Sequence, residues 1–405
     1  MKRLLILIVL VLTGCGDREP EQTLNEVIKQ VDANGTITDP QAEILSKIEG
    51  PLTLNGLTSI SDKQAEFLGK VKHLLELDGL TSINEKQAKS LSKVKGISLQ
   101  GITSISDAQA ESLSKINHLA LNGLNAITDA QAESLCKVEG DLSLGGLTSI
   151  TDEQAESLSK VEAYLNLEGL NSITDEQAAS LSKVKGHLLL VGLTSITDEQ
   201  AEMLSKIEGT LYLNGLTSIT DAQAESLSRI ERLQLSAPCF EQILSYQQKI
   251  LDKINVSGTI DDGQITILKS YKGGELVLSG LRTITDNQID ALSEIPSLNL
   301  SGLVSITDHQ VEILSKLIGG GTLELNKLSS LTDRQAKHLG EVKHLELNGL
   351  TSISDEQAQS LGEVRSLGLN GLTSITDEQA ESLSKVENLK ISEDFQPLID
   401  KYKKP

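Results

Sequence analysis

The sequence of 405 residues is poor in aromatic side chains: it contains no tryptophan, five tyrosines and three phenylalanines. Globular cores usually take much of their buried area from aromatic residues. A thick core of the ordinary globular kind is therefore not expected. Aliphatic side chains must supply nearly all of the packing, which suits a thin, repetitive core.

Basic residues are also scarce, with 36 Lys and Arg against 57 Asp and Glu, for a formal net charge of −21. Nucleic acids need a basic face to neutralise their phosphates, so we expect no nucleic-acid partner. Adsorption to an anionic lipid surface is disfavoured for the same reason. An acidic, well-solvated surface that keeps a long chain soluble accounts for the charge.

The N-terminus has the pattern of a secretion signal. Lys2 and Arg3 precede an unbroken apolar run from Leu4 to Leu12, which is too short for a membrane span of about 20 residues. The run ends in Leu-Thr-Gly-Cys at residues 12–15, which resembles the lipobox of bacterial lipoproteins. The resemblance implies a signal peptide at 1–14 and a lipid on Cys15, followed by a flexible tether up to residue 23. The alternative is an ordinary signal peptide with a chance cysteine.

Internal repetition dominates the rest of the chain. One acidic residue recurs fifteen times, mostly every 22 or 23 residues, with a gap after the ninth copy. Its positions are Asp39, Asp62, Glu85, Asp107, Asp129, Asp152, Asp175, Asp198, Asp221, Asp262, Asp286, Asp308, Asp333, Asp355 and Asp377. Regular self-similarity at such a period is the signature of a stacked repeat architecture.

Residues 142–161 illustrate one unit. Leu-x-Leu alternates with a period of two and predicts a short strand, and the glycine that follows predicts a tight turn. Thr151 with Gln154 three residues later forms a capping-box pattern, so a helix is expected to start there. Ala155, Leu158 and Val161 are spaced by three and predict its buried stripe. Each unit should therefore contain a strand, a turn and a short helix.

This unit resembles the leucine-rich repeat and is nearest to its cysteine-containing subclass, with Leu147 where that subclass has Cys or Asn. The usual ladder of side-chain hydrogen bonds from that place is thus expected to be missing. Parallel strands stack about 4.8 Å apart and helices 8–10 Å apart. We therefore expect an α/β solenoid with its parallel strands on a concave face and its helices on a convex face.

The repeats fall into two groups with similar ends. Each group closes on an aliphatic and aromatic segment and opens after a stretch with helical spacing, as end caps do. The sequence predicts two capped arrays, at residues 24–246 and 247–405. The alternative is one continuous solenoid with an insertion at 236–258. The thiols of Cys136 and Cys239 should lie too many repeats apart to pair.

Catalytic motifs are not found in this sequence, so we expect no enzyme, no catalytic residue and no cofactor. Repeated aspartates suggest a calcium ladder, but helix capping explains the column without a metal. The most unusual positions are on three consecutive predicted strands, where clustered apolar and aromatic groups suggest a binding patch. They are Tyr164, His187, Leu189, Val191 and Tyr212.

The sequence thus predicts a non-catalytic scaffold, lipid-anchored in the bacterial envelope, that binds a protein or a surface ligand. Gly16 after the cysteine favours the outer membrane over the inner one, with the body in the periplasm or on the cell surface. A structural spacer without a specific ligand is the alternative, and the near-identity of the repeats favours it.

Overall fold

The computed structural model describes residues 24–271, 274–316 and 321–403. The predicted signal peptide and the lipid site at Cys15 lie outside these residues. The chain divides into two compact units, the first ending at Leu124 and the second beginning at Asn125. Among the described residues, no helix is both long and apolar enough to cross a membrane.

The first unit contains four short parallel strands and five helices. The strands pair in chain order, so each strand is joined to the strand of the next repeat. Its elements are α1 (Leu24–Asn34), α2 (Asp39–Leu45), β1 (Leu52–Thr53), α3 (Asp62–Leu68), β2 (Leu74–Glu76), α4 (Glu85–Leu91), β3 (Gly96–Ser98), α5 (Asp107–Leu113) and β4 (His118–Ala120).

The second unit first continues with five repeats. Strands β5 to β9 pair in chain order, and a long helix follows them. The elements are α6 (Asp129–Leu135), β5 (Asp141–Ser143), α7 (Asp152–Leu158), β6 (Tyr164–Asn166), α8 (Asp175–Leu181), β7 (His187–Leu189), α9 (Asp198–Leu204), β8 (Thr210–Leu213), α10 (Asp221–Leu227), β9 (Arg232–Leu235) and α11 (Ala237–Ser257).

The remaining strands of the second unit form a separate six-stranded parallel sheet, again in chain order. Its elements are α12 (Asp262–Leu268), β10 (Leu276–Val277), α13 (Asp286–Leu292), β11 (Leu298–Asn299), α14 (Asp308–Leu314), β12 (Thr322–Glu324), α15 (Asp333–Leu339), β13 (His344–Glu346), α16 (Asp355–Leu361), β14 (Ser366–Leu369), α17 (Asp377–Leu383), β15 (Asn388–Ile391) and α18 (Gln396–Tyr402).

The predicted capping boxes are confirmed in all fifteen repeats. Each helix of these repeats has seven residues and begins at the recurrent acidic residue, with a Thr, Ser, Asn or Asp as its N-cap. In α7, the Thr151 hydroxyl accepts from Gln154 N, and Thr151 N donates to the Gln154 carboxamide. Such boxes satisfy two backbone donors that a short helix otherwise leaves open.

The core is a column of aliphatic side chains that repeats with the unit. In one repeat, the strand leucine Leu165, the turn leucine Leu170 and the helix residues Ala178 and Leu181 are all fully buried. Val184, which follows the helix, is 1% exposed. The buried stripe that the spacing predicted is thus confirmed, although its third member lies just beyond the helix end.

The tight turn predicted at the glycine after the strand is present, since Leu170 N donates to Leu167 O at 3.1 Å. Gly169 and Gly192 do not adopt a left-handed backbone in this turn. A Cβ on Gly192 would lie 2.2 Å from Glu168 O and 2.5 Å from Leu170 O of the preceding repeat. Glycine is thus favoured because adjacent repeats approach closely there. One repeat has Lys327 in this slot.

A single helix, α11, replaces the two separate caps that the sequence suggested around residue 246. Near its start, the buried Cys239 thiol donates to Leu216 O of the preceding repeats. Near its end, Ile250 and Ile254 join the apolar core of the repeats that follow. The helix therefore closes the first set of repeats and opens the second. The division into two arrays that fold separately stays a prediction.

Candidate functional site

The outward positions of the strands form what we call the strand face, the side of the sheet opposite the helices. In β6, for example, Leu165 is buried, as is Leu167 just after the strand. Tyr164 and Asn166 alternate with these leucines and therefore point to the opposite side of the sheet. Tyr164 opens β6 and is paired with His187, which opens β7. Leu189 and Tyr212 are paired two residues further on, across β7 and β8.

Three rings on this face form what we call the aromatic row: Tyr164, His187 and Tyr212. The ring centroids of Tyr164 and His187 lie 6.2 Å apart, with an interplanar angle of 48°. Those of His187 and Tyr212 lie 6.3 Å apart at 49°. These distances are within the range of tilted ring contacts. Three consecutive repeats thus present one continuous aromatic surface.

The row is partly desolvated but still accessible. His187 is exposed, and Tyr164 and Tyr212 are half-buried. Burial raises the pKa of the Tyr164 hydroxyl above its usual range, and nearby Tyr212, Glu168 and Asp141 add to this. The hydroxyl therefore stays protonated at neutral pH and can donate a hydrogen bond. The negative charge beside the row comes from the carboxylates of Glu168 and Asp141.

The other two predicted patch residues occupy different surroundings. Leu189 is half-buried on β7, between its strand partners Asn166 and Tyr212, so it extends the row with an aliphatic side chain. Val191 lies in the turn after β7 and is half-buried. The structure therefore places four of the five predicted residues on the strands and the fifth at their end.

An open groove adjoins the row and was not predicted from the sequence. Its volume is about 500 Å³ and it is lined by Thr210, Tyr212, the segment 231–235 and Phe240. The groove runs along β9, the last strand before α11. The sequence signal that could have found it is the ending of the repeats there, since a final strand has no following neighbour to cover it.

In the second sheet, the strand face carries a polar network in place of aromatic rings. Asn299 Nδ2 donates to the Glu324 carboxylate at 2.6 Å, and Lys390 Nζ donates to Glu346 at 2.6 Å. Lys390 reaches Glu346 across Gly368, whose Cβ would collide with the Glu346 carboxylate. The pKa of Glu324 is raised, first by burial and then by the nearby negative charge of Glu275.

Asparagines one place before the glycine position form a ladder between three consecutive repeats, at Asn326, Asn348 and Asn370. Asn348 N and Nδ2 donate to Asn326 Oδ1 at 3.1 and 3.0 Å. Asn370 makes the same two bonds to Asn348. A side-chain ladder is thus present one residue before the glycine position, and it is a different ladder from the one expected to be missing at the place of Leu147.

A second ladder uses the capping glutamines. Gln177 Nε2 donates to Ile150 O at 2.8 Å, and Gln200 Nε2 donates to Ile173 O at 2.9 Å. The same bond recurs along both sheets, reaching back to the preceding repeat each time. Each glutamine therefore caps its own helix and fastens that helix to the repeat before it.

The aspartate column takes part in hydrogen bonds of its own. Thr174 Oγ1 donates to Asp152 Oδ1 at 3.0 Å, and Thr220 Oγ1 donates to Asp198 Oδ1 at 2.8 Å. Each bond joins the N-cap of one helix to the first residue of the helix before it. Within the described ranges, no group of three or more His, Cys, Asp or Glu side chains is placed to hold a metal ion.

Repeating strand-and-helix units, in-register parallel strands and a single leucine column together define the architecture. The fold is a leucine-rich-repeat solenoid. No protein-family model and no curated protein matches this leucine-rich-repeat chain.

Solved structures of similar chains include a leucine-rich-repeat protein of Leptospira interrogans, which is 16% identical with a TM-score of 0.36 over 95% of this chain and 98% of that one. An internalin of Listeria monocytogenes is 16% identical, with a TM-score of 0.28 over 94% and 93%. TLR13, solved as a complex with single-stranded RNA, is 15% identical, with a TM-score of 0.40 over 87% and 58%.

Proposed function

We propose that this chain is a non-catalytic binding scaffold and that a protein partner docks on the strand face at the aromatic row. The observation that carries the proposal is the continuous surface of Tyr164, His187 and Tyr212, whose rings lie in contact across three strands. Accessible aromatic side chains contribute much of the binding energy when a partner desolvates them. The outward positions of the other described strands carry residues such as Leu74, His118 and Ser366 and no comparable run of rings, so the row is the feature that needs a function.

The charges beside the row indicate the partner's chemistry. Glu168 and Asp141 lie close enough to Tyr164 to raise its pKa, so the surface combines aromatic faces with negative charge. Lysine and arginine side chains bind such a surface through cation–π contacts and ion pairs. RNA, which is present in the TLR13 complex, is disfavoured here because its phosphates would be repelled by these carboxylates.

The test uses the full chain in detergent, immobilised and incubated with envelope extract, and quantifies the proteins retained. Tyr164→Ala and Tyr212→Ala should each weaken retention of the specific partner, by about 1–3 kcal/mol in the affinity measured afterwards. The matched control is Ser366→Ala, because Ser366 opens β14 as Tyr164 opens β6. A partner retained equally by all four proteins would show that the row is not the binding surface.

We also propose that the scaffold is held at the bacterial envelope by a lipid on Cys15, with the outer membrane favoured. The support is the sequence pattern of residues 1–16. Cells grown with a labelled fatty acid should incorporate label into the wild-type chain and not into Cys15→Ala. Equal incorporation into the two chains would overturn the anchor.

The alternative function is a structural spacer without a specific ligand. Its support is the uniformity of the glutamine and aspartate ladders, which fasten each repeat to its neighbour in the same way. A spacer predicts that no protein is retained through the aromatic row, so the retention experiment separates the two functions.

A further inference from the structure

Strand β9 is the terminal strand of its sheet and has one neighbour. It pairs with β8 along Arg232–Leu235, and the next strand of the chain, β10, belongs to the other sheet. A terminal strand presents backbone N–H and C=O groups along its outer edge, which another extended chain can use.

The regular repeats show which backbone groups of β9 point outward. Just after β6, Leu167 N donates to Leu189 O of the following strand at 3.0 Å, and just after β7, Leu190 N donates to Tyr212 O at 3.0 Å. Leu235 occupies the same place in β9, where no following strand exists in its sheet. By the alternation of a parallel ladder, the N–H and C=O of Leu233 point to this same edge.

The side chains along this edge are incompletely covered. Leu211 and Leu213 of β8 are fully buried, whereas the equivalent Leu233 and Leu235 of β9 are half-buried. Both line the groove of about 500 Å³, and Phe240 of α11 lines it as well. An extended segment lying there would cover the apolar edge and pair its backbone at the same time.

The charge at the groove indicates what the segment should carry. Arg232 is exposed and lines the groove. Arg229, by contrast, is bound by Glu202 and Glu225. Among the ion pairs that the described residues form, none engages Arg232. A carboxylate on the incoming segment would complement the Arg232 guanidinium.

We propose that an extended peptide segment of the partner adds to β9 as a further parallel strand. Its inward side chains are apolar and pack on Leu233, Leu235 and Phe240, and an acidic side chain lies opposite Arg232. This proposal specifies that the binding part of the partner is an extended segment, and it therefore rests on the proposed function. The groove shares Tyr212 with the aromatic row, so one partner can cover both.

The chain's own strands indicate a suitable probe. The segment Asp-Leu-Ser-Leu at 141–144 has the required alternation, with the acidic residue at the first place. We therefore choose a fluorescein-labelled synthetic peptide with the sequence of residues 139–146, Glu-Gly-Asp-Leu-Ser-Leu-Gly-Gly. In register with β9, its aspartate would lie opposite Arg232 and its first leucine opposite Leu233.

Two N-methylated peptides test the backbone pairing by fluorescence polarisation with the full chain in detergent. In the proposed register, the serine N–H of the peptide donates to Leu233 O, whereas the N–H of its first leucine points away. N-methylation at the serine should weaken binding about tenfold or more, since it removes a hydrogen bond and places a methyl group against a carbonyl. N-methylation at the leucine should change binding less than about threefold.

Protein variants test the charge. Arg232→Glu should weaken binding of the peptide about tenfold, and replacing the peptide's aspartate by lysine should restore binding to that variant. Arg334→Glu, an exposed arginine of α15, is the matched control and should leave binding unchanged. Circular dichroism melts of both variants show whether either change affects folding.

Three results would overturn the proposal: no peptide binding at millimolar concentration, equal effects of the two N-methylations, or self-association of the chain that Arg232→Glu abolishes. The last result would make a second copy the occupant of the edge. Tyr164→Ala leaves the β9 edge intact and should not affect the peptide. A negative result with the peptide is thus distinguishable from a negative result for the aromatic row, which the retention experiment tests.

Discussion

The strand faces of β6–β8 and of β12–β15 are both built on parallel strands in chain order, but they carry different side chains. In the first, Tyr164, His187 and Tyr212 contact one another and leave aromatic surface open. In the second, outward side chains are satisfied internally, as Lys390 is by Glu346 and Asn348 is by Asn326. A face whose polar side chains already hydrogen-bond to one another offers few free donors and acceptors to a ligand. The comparison thus favours our proposal that a partner binds the first face, while the second face stabilises the stack.

The largest loss of stability is expected at the glycine after the strand, a position that both sets of repeats share. Gly192→Ala and Gly349→Ala each place a methyl group within 2.2–2.7 Å of two carbonyl oxygens of the preceding repeat. Each should lower the free energy of unfolding by about 1–3 kcal/mol, the usual effect of overpacking. Thermal melts of both variants check this. Unchanged melting temperatures would show that adjacent repeats can make room for a side chain at this position, as they accommodate Lys327.

A smaller effect should separate the two faces. Asn348→Ala removes the hydrogen bonds that the Asn348 side chain donates to Asn326 and Glu346, and it leaves the backbone N–H of Asn370 without its acceptor. It should cost about 1–2 kcal/mol of stability. Tyr164→Ala, at an outward position, should cost less than about 0.5 kcal/mol. Chemical denaturation measures both, and the reverse order would undo the comparison.

The smallest expected effect is a pH-dependent change in stability that is due to Glu324. Burial raises the pKa of this carboxyl, so the folded state holds the proton more tightly than the unfolded state. The charged form is thus destabilising, and stability associated with this group should rise as the pH falls through the raised pKa. Glu324→Gln should be more stable than the wild type at pH 7, and the difference should shrink towards pH 5.

The pH experiment compares melting temperatures of the wild type and Glu324→Gln across this range. Other carboxyl groups titrate in both proteins, so only the difference between the two chains is interpreted. Glu356→Gln, at an exposed position in α16, is the control and should leave the pH dependence unchanged. A pH-independent difference for Glu324→Gln would exclude the titration of this group as its cause.

Most of the fold could be predicted because the same sequence pattern recurs in every repeat. Thr151 and Gln154 specify a helix start through local hydrogen bonds, and the leucine spacing specifies which side is buried. The bond from Gln177 to Ile150 O could not be predicted, because the capping box alone already explains a glutamine at that place. The close approach at Gly192 was missed for a similar reason: it depends on the distance between stacked repeats.

The candidate site was predicted in part. The row could be identified because Tyr164, His187 and Tyr212 bring aromatic rings to outward positions of three consecutive predicted strands. The groove along β9 was missed because Arg232 and Phe240 come from different elements and meet only when α11 packs beside the last strand. A local pattern cannot show which strand is left without a neighbour.

Site-specific photocrosslinking in cells tests the central claim most directly, that binding belongs to the strand face of β6–β8. A benzophenone amino acid is placed at Tyr164 in one chain and at Ser366 in another, since both residues open a strand. Irradiation should yield a discrete higher-mass adduct from the Tyr164 position and none from the Ser366 position. Adducts from Ser366 alone, or equal adducts from both positions, would contradict the account.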